Sequence, residues 1–130
     1  MSGSYLLDTN IVIGLLNDDT RIVESIKNTS AILKVPITVV GELFYGAELS
    51  SKKEINRNKI DEFTRSIPVV DCDVNTAKNY AIIKSILKIK GTPIPENDIW
   101  IAAIAAQHNM KIVTRDNHFS QIPIISVIAW

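Results

Sequence analysis

Short apolar runs alternate along this chain with longer segments whose apolar residues recur at helical spacing. Tyr5-Leu6-Leu7, Ala31 to Val35, Ile67 to Val70, Lys111 to Thr114 and Pro123 to Val127 predict short strands. The intervals between them predict helices. Asn10 caps the first, which carries Ile11, Val12, Leu15 and Leu16; Asp19 or Thr20 opens a second with Ile22, Val23 and Ile26 inward. After Pro36, Thr38 is the expected N-cap of a helix bearing Val39, Leu43, Ala47, Phe44 and Tyr45, and a polar helix follows from Ser51 to Arg65. Asp73 begins a long helix that Gly91 and Pro93 end, with Val74, Ala77 and Ala81 on one side and Ile82, Ile86 and Ile89 on another. That apolar surface is wide enough to pack inward and still face a partner. Asn97 is the expected cap of Asp98 to His108, a segment so apolar that it must be buried nearly all round. Strands alternating with helices predict an α/β fold: a single-domain, three-layer α/β/α sandwich with a mostly parallel sheet of about five strands.

Composition narrows this without changing it. A chain of 130 residues, 46% hydrophobic, fits one domain over 1–130 with a real core. The longest apolar run, Ile99 to Ala106, is too short to span a bilayer. Asp8 and Asn10 interrupt what would be the core of a secretory signal, and Met1 to Ser4 reads as a flexible lead-in. Cys72 has no cysteine to pair with, fits a reducing cytosol, and is expected as a small core residue beside a strand. Lys plus Arg equal Asp plus Glu at 14 each, so nucleic acid cannot be held by bulk charge. Any such contact is local or made through a metal. The densest basic stretch, Lys52 to Lys59, is either a solvated helix face or a phosphate-steering patch.

Asp8, Glu42, Asp98 and Asp116 each stand where an apolar run meets a polar break. Ligands of open parallel sheets bind outside the carboxyl ends of the strands. Asp8 and Asp116 come just after strands, and the other two can lean over that edge. Carboxylates brought together stay ionised only beside a cation, and oxygen-only ligands suit Mg²⁺ or Mn²⁺. Such a site points to phosphodiester chemistry. Each acid also has a structural explanation. Asp8 could cap the first helix, Asp98 complement a helix dipole, and Asp116 make a turn. Glu42 is harder to dismiss, because Val40, Leu43 and Phe44 surround it with apolar groups.

Four motifs carry a resemblance: Leu7-Asp8-Thr9-Asn10; Thr38 with Glu42-Leu43; Asn97-Asp98 with Ile101-Ala102-Ala103; and Val113-Thr114-Arg115-Asp116 with Phe119. In this order and spacing, from Tyr5 to about Val127, they resemble the PIN domain, and within it the small VapC-type toxins of type II toxin–antitoxin systems. The resemblance implies a cytoplasmic Mg²⁺- or Mn²⁺-dependent endoribonuclease, a homodimer held inactive by a small antitoxin. It implies that Asp8, Glu42, Asp98 and Asp116 form the metal site, supported by Asn10, Asn97 and Thr114. Relatives often carry an acid where this chain has His118, and some have Asn at the place of Asp116. His118 is therefore read as a surface or substrate-facing residue rather than a catalytic base, and His108 as a helix-terminal cation. No Lys, Tyr or His stands out as a nucleophile, so metal-activated water is the expected attacker. Lys52, Lys53, Arg57 and Arg115 are the expected RNA contacts. Two rival readings are an inactive interaction module on the same fold and a phosphoacceptor signalling domain. The second lacks paired acids after the first strand and a lysine after the last.

Overall fold

The computed structural model describes residues 3–130. Part of the expected lead-in, Met1-Ser2, lies outside the described residues, and Ser4 already belongs to the first strand. The strands are β1 (Ser4–Leu7), β2 (Ile32–Pro36), β3 (Val69–Val70), β4 (Lys111–Val113) and β5 (Val127–Ile128). The helices are α1 (Thr9–Leu16), α2 (Thr20–Asn28), α3 (Ile37–Glu48), α4 (Lys53–Ser66), α5 (Val74–Lys90) and α6 (Glu96–His108). A 3-10 turn covers Asn117–Gln121. All pairings are parallel, in the order β3-β2-β1-β4-β5. Right-handed crossovers place α1 to α4 over one face and α5 and α6 over the other. The sandwich core includes Leu6, Leu7, Ile11, Ile22, Val35, Ile101, Ile104, Ile112 and Phe119, all without exposed surface.

The chain runs outward from β1 through β2 to β3, then returns across the sheet to β4. The direction of winding therefore reverses between β1 and β4. In open parallel sheets this reversal leaves a crevice at the carboxyl ends of the two strands. The register puts Leu7 beside Val113, and Asp8 N donates to Val113 O at 3.0 Å. Asp8 and Thr114 consequently emerge side by side at that crevice.

Several boundaries differ from expectation for identifiable reasons. Pro36 and Pro95, at φ −73° and −55°, lead directly into α3 and α6. Proline's fixed φ suits helix entry, so α3 begins before Thr38 and α6 before Asn97, and neither residue is the cap. Asp8, not Asn10, caps α1, accepting from Thr9 N at 2.7 Å. β5 is later and shorter than Pro123 to Val127, because the preceding chain turns, with Ile125 N donating to Ile122 O. Cys72 is exposed in the connection from β3 to α5, not buried beside a strand.

The caps of α5 are as expected. Asp73 and Thr76 form a reciprocal capping box, and Gly91 ends the helix at φ 69°. Its inward face differs. Thr76, Ile83 and Leu87 are buried toward α6, and Tyr80 stacks on Trp100 at 4.1 Å. Val74, Ala77 and Ala81 point outward, together with Ile82 and Ile89. Among the described residues, no helix is long and apolar enough to cross a membrane.

Candidate active site

Asp8 is the most firmly held of the four acids and is 4% exposed. Its position at the end of β1 follows from strand register, and its two oxygens are used differently. Oδ1 accepts from Thr9 N at 2.7 Å, capping α1. Oδ2 accepts from Thr114 Oγ1 at 2.7 Å and from Asn10 Nδ2 at 3.3 Å. Burial raises the Asp8 pKa above the ordinary aspartate value, the hydrogen bonds from Thr114 and Thr9 oppose this, and nearby Asp116 adds to it. Thr114 links two acids: its hydroxyl donates to Asp8 and accepts from Asp116 N at 2.9 Å.

Glu42 projects from α3, whose apolar side (Val39, Val40, Leu43, Ala47) is packed inward and leaves Glu42 half-buried at its margin. Burial is the main reason its pKa is raised, and Asp8 and Asp98 add repulsion. Thr9 and Asn97 lie beside it and favour the charged form. Thr9 Oγ1 is itself buried and closes no full hydrogen bond. Asp98, in the first turn of α6 and 8% exposed, completes the approach from the other side of the sheet. Its pKa is raised by burial first and then by Asp8 and Asp116, against the opposing hydrogen bond with His118.

Asp116 follows β4 and caps the 3-10 turn, where Oδ1 accepts from His118 N at 3.0 Å. Its Oδ2 lies 3.1 Å from His118 Nδ1, and Asp98 Oδ2 lies 2.9 Å from the same nitrogen. The two carboxylates, Asp98 first, raise the His118 pKa. Four acids far apart in sequence thus converge, and each structural role foreseen for Asp8, Asp98 and Asp116 is observed. Asp8 caps, Asp98 sits at a helix start, and Asp116 caps a turn. The structural and chemical explanations are not exclusive.

Asn10, Asn97 and Thr114, expected in support of the acids, all lie beside them. Asn10 also accepts from Arg115 N through Oδ1 at 3.2 Å. His118 is exposed, as expected, but its approach to two of the acids was not foreseen. Its half-exposed ring turns back to the acids because Phe119, fully buried, pins the turn. The available signal was its position two residues beyond Asp116.

The expected RNA contacts are distributed differently. Arg115 joins Asp19 in an ion pair at 3.0 Å and donates through Nε to Trp130 O at 2.7 Å, so its guanidinium clamps the chain's end to α2. Lys53 pairs with Glu48 at 2.6 Å, and Arg57 lies 3.7 Å from Glu54. Lys52 is exposed ahead of α4. The cation on the groove that reaches Glu42 is Lys59, alongside Asn56, Asn17, Ile13 and Leu16. His108 is the exposed last residue of α6, where a helix-terminal cation was expected.

The profile of the PIN domain matches residues 5–125. The chain is 34% identical to the tRNA(fMet)-specific endonuclease VapC of Salmonella typhimurium over 129 residues, covering 97% of each. It is 32% identical to Ribonuclease VapC2 of Rickettsia felis, again over 97% of each. Among solved structures, VapBC2 from Rickettsia felis bound to a DNA fragment from its promoter aligns with a TM-score of 0.91 at 28% identity, over 98% of each chain.

Proposed function

This chain belongs to the PIN-domain family, and from that premise we propose that it is a metal-dependent endoribonuclease, the toxin of a VapC-type toxin–antitoxin pair. The observation that carries the reading is the convergence of Asp8, Glu42, Asp98 and Asp116, three of them with raised pKa values, at the point where the sheet reverses its winding. Such a group resists ionising together and is relieved by a cation, so the donor set fits a hard divalent ion. Asp8, Glu42, Asp98 and Asp116 would hold Mg²⁺ or Mn²⁺. A divalent ion held there would supply water activation and neutralise charge on the phosphodiester.

The protein's own contribution is orientation. Thr114, Asn10 and Thr9 fix both oxygens of Asp8, so the lone pair left on Oδ1 is aimed before substrate arrives. Thr114 also ties the backbone of Asp116 to the same frame. Asn10 braces this corner by bonding Asp8 and the backbone of Arg115. RNA enters along the groove from Lys59 and Asn56 to Glu42, where one lysine and polar side chains meet phosphate without requiring a basic protein. Lys52, Lys53 and Arg57 at the start of α4 supply steering charge beyond it. An antitoxin keeps this groove closed until it is removed. The outward apolar residues of α5 (Val74, Ile82, Ile89) serve self-association into a homodimer.

Purified protein should cleave structured RNA, initiator tRNA included, in Mg²⁺ or Mn²⁺. EDTA and Asp8→Asn should each abolish cleavage. When induced alone it should arrest growth, and Glu42→Gln should relieve the arrest. Full cleavage in EDTA or by Asp8→Asn refutes the metal reading. Normal growth with cleavage-competent soluble protein refutes the toxin reading. An inactive interaction module is disfavoured because Thr114, Asn10 and Thr9 remain arranged around Asp8, a framework that a non-catalytic surface does not require.

A further inference from the structure

Two carboxylates aim at one nitrogen. His118 Nδ1 lies 2.9 Å from Asp98 Oδ2 and 3.1 Å from Asp116 Oδ2. A single ring N–H can point well at only one acceptor, so a hydrogen bond accounts for one of these approaches and not both. Neighbouring ligands on an octahedral ion with bonds of about 2.1 Å stand about 3 Å apart. The two nitrogen–oxygen separations match that spacing, and each of the three residues offers a ligand atom within 4.8 Å of the others.

The ring is held in this place from behind. His118 N donates to Asp116 Oδ1 at 3.0 Å, leaving Asp116 Oδ2 for the centre. Phe119, the next residue, is fully buried and anchors the turn. The ring's outer side stays solvated, its side chain being 46% exposed.

Building on the metal site proposed above, we infer that His118 Nδ1 is itself a metal ligand in this chain, joining Asp98 and Asp116 in a mixed oxygen–nitrogen site that favours first-row transition ions such as Mn²⁺ over Mg²⁺. Imidazole nitrogen suits transition ions, whereas Mg²⁺ prefers oxygen and retains its waters. A neutral ring with its lone pair at Nδ1 is the ligating form, which leaves the ring proton on Nε2.

The test uses the full chain, freed of metal and titrated with Mn²⁺ or Mg²⁺ by calorimetry, with electron spin-echo measurements of nitrogen coupling to bound Mn²⁺. Wild type and His108→Gln, which alters the other histidine, should both show the coupling. His118→Gln should lose it and weaken Mn²⁺ binding by about tenfold or more, with much less effect on Mg²⁺. His118→Glu should restore affinity without nitrogen coupling and move the preference toward Mg²⁺. If Mn²⁺ binds wild type without nitrogen coupling, His118→Gln keeps the Mn²⁺/Mg²⁺ ratio and Asp98→Asn still abolishes binding, His118 is not a ligand and the acidic site stands. If Mn²⁺ fails to bind, or binds Asp98→Asn as well as wild type, both readings fall.

Discussion

Replacing Asp98 by Asn keeps the side chain's shape and removes its charge, so it separates a ligand from a structural helix residue. In the metal-free protein the change acts in two directions. It gives up a favourable charge in the first turn of α6, worth about 0.3–1 kcal/mol, and weakens the hydrogen bond to His118. It also removes a charge that is 8% exposed and faces Asp8 and Asp116. Burial is the largest influence on Asp98, so relief should match or exceed the loss, and the metal-free variant should melt at or slightly above wild type. Metal reverses the order. A ligand at a hundredfold excess over Kd stabilises by about 2.7 kcal/mol. For 130 residues, an unfolding entropy of about 2.1 cal/mol/K per residue makes that about 10 °C in Tm. If the variant's Kd is about a hundredfold weaker, the same ion concentration adds only about 0.4 kcal/mol, or about 1–2 °C. Thermal melts of both proteins in EDTA and in Mn²⁺ give all four values. A variant clearly destabilised in EDTA with an undiminished Mn²⁺ shift would mean that Asp98 is a helix-start acid and nothing more.

The remaining expectations use other parts of the structure. Asp8, Glu42 and Asp98 have raised folded-state pKa values, so as pH rises the unfolded chain releases their protons first. Their contribution is complete below ordinary carboxylate values and is lost as pH rises through the raised folded ones. Asp19, Glu48, Asp73 and Glu96, with lowered values, work in the opposite sense. The difference is therefore the proper measure: Asp8→Asn/Asp98→Asn should gain on metal-free wild type between about pH 4 and pH 7 in urea denaturation, and a flat difference refutes the crowding argument. NMR titration of the metal-free protein should find His118 above the ordinary histidine value, returning toward it in Asp98→Asn, the first cause of the shift; an unmoved His118 refutes the pairing. At Gly14 an added Cβ would lie 2.3 Å from Cδ1 of fully buried Ile22, so Gly14→Ala should cost about 1 kcal/mol, overpacking outweighing the helix preference for alanine. Adding Ile22→Val removes that methyl and should recover part of the Gly14→Ala loss; a stabilised Gly14→Ala refutes the clash.

What was legible in the sequence depended on whether a feature is local or shared. The alternation of apolar strands and amphipathic helices is written into each segment, and the sandwich with its five parallel strands follows from it. Asp73 and Gly91 were readable as helix boundaries because their chemistry is satisfied within a few residues. Thr38 and Asn97 were misread because Pro36 and Pro95 start those helices by backbone geometry alone, with no side-chain cap required. The inward face of α5 was misread for a different reason. Apolar residues stand on several sides of this helix, and only the presence of α6 decides that Ile83 and Leu87, in neither of the stripes read from the sequence, are covered while Val74 and Ile82 are not.

The acids show the same division at the level of chemistry. Their identities were readable because burying charge beside apolar runs is costly without a purpose. Their convergence depends on strand order, since only the return from β3 to β4 brings Thr114 within 2.7 Å of Asp8 across a separation of 106 residues. Arg115 was read as a phosphate contact because it is a cation beside a suspected nuclease centre; the partners it has in the fold, Asp19 and the Trp130 carbonyl, could not be read from its neighbours in sequence. His118 was judged by type, as an exposed ring where relatives carry an acid. Type alone misses direction. The buried Phe119 fixes the turn, the turn fixes the ring, and a residue that reads as surface comes to stand between two carboxylates.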